Sequence, residues 1–140
     1  MGTLSTYRKS IDASTKNLAE VRGFVDQHAK SHGFNKQQIA DIRLAVDEAI
    51  TNIIKHAYQQ DDSKSIDIEI TLEENSIRIQ LQDTGKKFRM KKYSEPDIEK
   101  KIKERKRGGM GLFLIHSLMD SVTYKSNNGL NEMVMCKNRT

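Results

Sequence analysis

The chain has 140 residues, 36% of them hydrophobic and 31% charged, which suits a single domain over residues 1–140 with one core and argues against general disorder. No apolar run is long enough to span a bilayer, no signal-peptide pattern opens the chain, and the single cysteine, Cys136, has no partner for an internal disulfide, so a cytoplasmic protein with no membrane association is expected. The net charge of +5 is local, because residues 86–107 hold 11 Lys/Arg against 4 Asp/Glu (+7) while the rest has 13 basic against 15 acidic residues (−2), a distribution that disfavours direct nucleic-acid binding.

In chain order, residues 4–12 read as an edge strand. Leu18, Val21, Phe24, Val25 and Ala29 repeat at helical spacing, and Gly33 stands where a glycine cap ends a helix. Asn35 with Gln38 forms an N-capping pair, and Phe34 with Ile39 occupies the positions of a hydrophobic staple, so a second helix starts there. Its stripe is Ile39, Ile42, Val46, Ile50, Ile53 and Ala57; at about 100° per residue, Glu48 and Lys55 fall on the far side with Asn52 beside them, a polar face separate from the core face.

Beyond a turn at residues 59–63, the alternation Ile66, Ile68, Ile70, Leu72 and then Ile77, Ile79, Leu81 gives two antiparallel strands around Glu73-Glu74-Asn75, with polar residues between them for a solvent-facing side. Residues 83–94 read as a loop, and Ser94 with Asp97 begins a short charged helix to about Lys103. After Gly108-Gly109-Met110-Gly111 comes an apolar helix through Leu112, Leu114, Ile115, Leu118 and Met119, then strands near 121–126 and 132–137. The sum is an α/β two-layer sandwich, a mixed and mostly antiparallel sheet covered on one face by helices.

Three segments carry chemistry. The glycine cluster at 108–111 opens a helix, where backbone N–H groups meet an anion and glycines let a phosphate approach. Asp83, before Gly85 at a strand end, suits either a turn or a carboxylate that accepts from an exocyclic amine such as that of adenine. Glu48 and Asn52, four apart, project side by side from one helix, as a general base and a hard-cation ligand or as an ordinary solvated pair.

Together these segments resemble the GHKL ATPases, the group of gyrase, the heat-shock chaperone ATPase, histidine kinases and the mismatch-repair ATPase. Asp47-Glu48-Ala49-Ile50-Thr51-Asn52-Ile53-Ile54-Lys55-His56-Ala57-Tyr58 is similar to their N box, Asp83-Thr84-Gly85-Lys86-Lys87-Phe88 to the first glycine box, and Gly108-Gly109-Met110-Gly111-Leu112 to the second. The Glu-Ala-x-Thr-Asn-x-x-x-His-Ala-Tyr form and Leu118-Met119-Asp120 further resemble the anti-sigma-factor serine-protein kinases. The resemblance implies a Bergerat-type ATP-binding fold and an enzyme that binds ATP and Mg²⁺, phosphorylates a Ser or Thr of an anti-anti-sigma (STAS-type) partner, sequesters a sigma factor and forms a homodimer. By position it implies that Glu48 accepts the substrate hydroxyl proton and that Asn52 ligates Mg²⁺. Asp83 binds the adenine amine with Gly85 giving close approach. Gly108, Gly109, Met110 and Gly111 wrap the phosphates, Lys55 is a phosphate contact, and Arg107 lies near the terminal phosphate. A basic lid over residues 86–107 fits a reaction run by positioning and charge neutralisation. Lys87 departs from the pattern, standing where relatives often carry proline.

Other readings have less behind them. The 140 residues show no phospho-accepting helical hairpin for a histidine kinase, and G-x-x-x-x-G-K-[ST] is absent. His28 and His32 lack the H-E-x-x-H context of a zinc site. The rival of a different class is a catalytically weak ATP-binding adaptor that captures a sigma factor or another regulator; the presence of Glu48 favours the enzyme.

Overall fold

Alternation in the two central strands decides which side of the sheet is covered. The computed structural model describes residues 3–59, 61, 63–85 and 107–139. Strand β2 (Ser65–Glu73) buries Ile66, Ile68, Ile70 and Leu72, and β3 (Ser76–Asp83) buries Ile77, Ile79 and Leu81. Their antiparallel register sets Ile68 against Leu81, Ile70 against Ile79 and Leu72 against Ile77, so the apolar side chains stack in rows across one face. Strand β5 (Leu130–Asn138) extends the rows with Met133 beside Leu81 and Met135 beside Ile79. Strands β1 (Thr3–Asp12) and β4 (Ser121–Asn127) form the edges, giving the order β1-β2-β3-β5-β4. Every pairing among the described residues is antiparallel, where a mixed sheet was expected.

The helices lie on the apolar side. Helix α1 (Leu18–Ser31), entered through a 3₁₀ turn at Thr15–Asn17, buries Val21, Val25 and Ala29. It ends at Gly33, whose φ of +88° is the left-handed conformation that glycine adopts without strain. Helix α2 (Lys36–Asn52) starts with the capping box that its sequence announces: the Gln38 backbone N–H donates to Asn35 Oδ1 at 2.8 Å, and the Asn35 N–H donates to Gln38 Oε1 at 2.9 Å. Two ion pairs join α1 to α2, Arg22 Nε to Asp47 Oδ2 at 2.8 Å and Arg43 Nη1 to Asp26 Oδ2 at 2.9 Å. Helix α3 (Arg107–Leu118) packs along α2. Lys137 closes its far end, donating to the Leu118 carbonyl at 2.6 Å.

Two local departures position the site. Helix α2 continues as a π turn over Ile53–Ala57, closed by the Tyr58 N–H donating to the Ile53 carbonyl at 2.9 Å. Ile53, Ile54 and Ala57 of this turn are all buried. The β4–β5 hairpin turns on Asn128-Gly129 alone, with φ of 53° and 81°, the two-residue turn that Asn-Gly favours. Strand β5 therefore begins at Leu130, two residues before the expected start at 132.

Among the described residues, the other face of the sheet is open. It carries Arg8, Glu69, Gln80 and Gln82, which line a shallow groove on the side away from the helices. No helix among the described residues is long and apolar enough to cross a membrane.

Candidate functional site

At the end of β3 the inward row changes character. Asp83 follows Ile79 and Leu81 on the buried side and is itself 4% exposed, and its ladder partner on β5 is Asn131, 1% exposed. Asn131 Nδ2 donates to Asp83 Oδ1 at 2.8 Å and to the Gly85 carbonyl at 2.9 Å, while Asn131 Oδ1 accepts from Ser126 Oγ at 2.7 Å. The Gly85 N–H also donates to Asp83 Oδ1, at 2.9 Å. Both bonds to the carboxylate converge on one oxygen. Burial pushes the Asp83 pKa above its ordinary value, and the hydrogen bonds from Asn131 and Gly85 pull in the opposite direction without cancelling it. A buried carboxyl whose charge is opposed by burial is a candidate functional group.

Gly85 is fixed by its contact with the π turn. A Cβ there would lie 2.4 Å from the Ala57 carbonyl oxygen and 2.8 Å from Tyr58 Cδ1. The close approach expected of Gly85 is thus made first to the protein's own helix end. Tyr58 completes the junction: its hydroxyl accepts from the Thr84 N–H at 2.9 Å and donates to the Ser65 carbonyl at 2.6 Å. The end of the Asp47–Tyr58 segment and the Asp83–Gly85 turn are therefore one packed unit.

Asn52, the last residue of α2, corrects the sequence reading. It does not share a solvated face with Lys55, because it is 6% exposed, and its Nδ2 has no hydrogen-bond partner among the described residues. An unsatisfied buried amide opposes folding by about 1–3 kcal/mol, so its presence calls for a reason beyond packing. Glu48 sits half-buried one turn earlier on the same helix, and Lys55 and His56 are exposed on the π turn. Asp47, beside Glu48, is held by Arg22.

The second glycine segment is helical in its backbone: Gly108, Gly109, Met110 and Gly111 form the first turn of α3, beginning at Arg107. The first backbone N–H groups of a helix lack intrahelical acceptors, and α3 lies against α2. The side chains of Arg107 and Met110, the lid from residue 86 to 106 and the short helix expected from Ser94 lie outside the described residues. Of the two spaced histidines, His28 is buried and stacked on Tyr7 with ring centroids 3.9 Å apart, and His32 Nε2 bonds the Glu73 carbonyl at 2.5 Å.

Asn131 and Ser126 were missed by the sequence reading. A strand at 132–137 ends short of Asn131. The Asn128-Gly129 dipeptide signals a tight hairpin and draws Asn131 into the ladder, in phase with Met133 and Met135.

A family model described as the histidine kinase-like ATPase domain matches residues 11–137. The serine-protein kinase RsbW of Oceanobacillus iheyensis is 38% identical over 111 residues, covering 76% of this chain and 69% of its own length. The serine-protein kinase RsbW of Halalkalibacterium halodurans is 35% identical over 129 residues, covering 89% and 78%. Among solved structures, the RsbU and RsbW domains of a Mycobacterium tuberculosis protein superpose with a TM-score of 0.69 at 18% identity, over 96% of this chain and 32% of that one. The SiaB-SiaC complex from Pseudomonas aeruginosa gives 0.62 at 12% identity, over 96% and 89%. At such identities the two structures speak for the fold, an antiparallel sheet with helices on one face.

Proposed function

The chain belongs to the histidine kinase-like ATPase domain family, with serine-protein kinases among its relatives, and from that premise we propose that it is an anti-sigma factor and serine/threonine-protein kinase that binds Mg-ATP and phosphorylates an anti-anti-sigma partner of the STAS type. The observation that carries the reading is the pair of polar groups buried against their own stability interest. Asp83 is an aspartate whose burial favours its neutral form, and Asn52 has an amide nitrogen without a partner. The Asp83 carboxylate fits the amine of a nucleotide base, the unpartnered Asn52 Nδ2 is a donor that fits a phosphate oxygen, and the oxygen of the same amide is the atom that fits a hard cation. Asp83 accepts the adenine amine, and the Asn52 side-chain oxygen serves Mg²⁺, which takes oxygen ligands and shares its shell with phosphates. When bound, Mg²⁺ neutralises phosphate charge.

The remaining roles belong to the chain's own residues. The backbone N–H groups at Gly108, Gly109, Met110 and Gly111 hold phosphate oxygens at the start of α3. Glu48, one helical turn from Asn52, accepts the proton of the substrate hydroxyl as the hydroxyl oxygen bonds to the terminal phosphorus and the bond from that phosphorus to the bridging oxygen breaks, releasing ADP. Arg107 and the exposed Lys55 add positive charge near the phosphates. The homodimer and the sigma factor belong to the same reading.

The experiment incubates the protein with labelled Mg-ATP and candidate anti-anti-sigma domains, comparing wild type with Glu48→Ala. Label appears on a Ser or Thr of one partner and is lost in the variant, which still binds ATP. Tight ATP binding with no transfer to any cognate partner would refute the kinase and leave the adaptor.

A further inference from the structure

Resting on the reading of Asp83 as acceptor of the adenine amine, we infer that Asn131, oriented by Ser126, is the positioning residue that makes the site select a base with an exocyclic amine over one with a carbonyl in its place. An amide has two N–H donors and one oxygen, and every one is committed here. The oxygen accepts from Ser126 Oγ at 2.7 Å, which turns the nitrogen toward the site, where it donates to Asp83 Oδ1 at 2.8 Å and to the Gly85 carbonyl at 2.9 Å. The Gly85 N–H engages the same carboxylate oxygen at 2.9 Å.

The consequence is a carboxylate that cannot turn. Exchanging its two oxygens means breaking both bonds to Oδ1, so Oδ2 is the oxygen left for a base. A fixed acceptor oxygen pairs with an amine and leaves a carbonyl facing it without a donor. A buried site built around one hydrogen bond rejects the analogue that lacks it. Without the Asn131 donors, the Gly85 N–H makes the one hydrogen bond left on the carboxyl among the described residues. The carboxyl then turns freely, the acceptor oxygen is no longer held in line with an incoming amine, and discrimination falls. Because Asn131 is 1% exposed and reaches the base only through Asp83, its effect is on selectivity.

The test compares Mg-ATP with Mg-ITP, which replaces the amine by a carbonyl, using titration calorimetry on the full chain. Wild type, Asn131→Leu and Ser126→Ala are each checked for cooperative thermal unfolding. Wild type prefers ATP by roughly tenfold or more; the ATP/ITP ratio shrinks about fivefold in Asn131→Leu and about twofold in Ser126→Ala. An unchanged ratio in folded Asn131→Leu overturns the inference. Should that variant not fold, an unchanged ratio in Ser126→Ala overturns it. Wild type that binds ATP and ITP equally refutes Asp83 as the acceptor of the base, a failure of the underlying reading that is distinct from a failure of Asn131 alone.

Discussion

Asp83→Asn exchanges one oxygen for an NH₂ group at the centre of the site. The amide keeps an Oδ1 to accept from Asn131 Nδ2 and the Gly85 N–H, now at 2.8 and 2.9 Å, so the network around it survives. The charge and the second acceptor are lost. Burial holds the Asp83 pKa above its ordinary 3.8, so the native state binds this proton more tightly than the unfolded state does. Below pH 3.8 the carboxyl is protonated in both states and has no differential effect. Between that value and the higher native one, the unfolded chain ionises first and stability falls; above both, the loss persists. Asparagine escapes that loss, so the variant melts at or above wild type at neutral pH, and the difference closes as the pH drops below 3.8. Nucleotide binding moves the other way. A hydrogen bond to a charged acceptor contributes about 1.5–3 kcal/mol, and the amide N–H then opposes the adenine amine, so Kd for Mg-ATP weakens by roughly 10- to 150-fold. Calorimetric titration and thermal scans from acid to neutral pH measure both. ATP affinity within about twofold of wild type, or a melting temperature that drops most at neutral pH, would refute the reasoning.

Asn52→Leu removes the unpartnered buried amide with little change of shape, so the nucleotide-free protein gains about 1 kcal/mol in urea unfolding, while the Mg²⁺ dependence of its ATP affinity disappears; a loss of stability contradicts the orphaned state of Nδ2. Gly85→Ala sets a Cβ 2.4 Å from the Ala57 backbone carbonyl oxygen and destabilises by about 1–3 kcal/mol. An unchanged melting temperature in that variant refutes the contact between the π turn and the Asp83–Gly85 turn.

Much of the fold is legible in the sequence because its signals are periodic or chemically specific. Seven apolar residues at alternate positions mark β2 and β3, and Asn35 with Gln38 marks the start of α2 as the capping box that forms. The site is less legible where geometry departs from an ideal period. A helical wheel sets Asn52 among solvated residues, yet α3 packs along α2 and the helix goes on as a π turn, so buried surface extends beyond the apolar stripe. Asn131 is hidden by a strand boundary, and Ser126 by distance, since four residues lie between two side chains that the hairpin brings to 2.7 Å. Gly85 was assigned a ligand-facing reason, whereas its nearest constraint is the Ala57 carbonyl, a contact between segments that no local pattern announces.

The central claim is that the three sequence segments form one nucleotide site, and the structure of the protein with Mg²⁺ and a non-hydrolysable ATP analogue tests it most directly. The account predicts the adenine amine on Asp83 Oδ2, Mg²⁺ on the Asn52 side-chain oxygen and the phosphates at the backbone of residues 108–111. A nucleotide seated elsewhere, in the groove between Arg8 and Gln82 on the open face of the sheet or with its base away from Asp83, would contradict it.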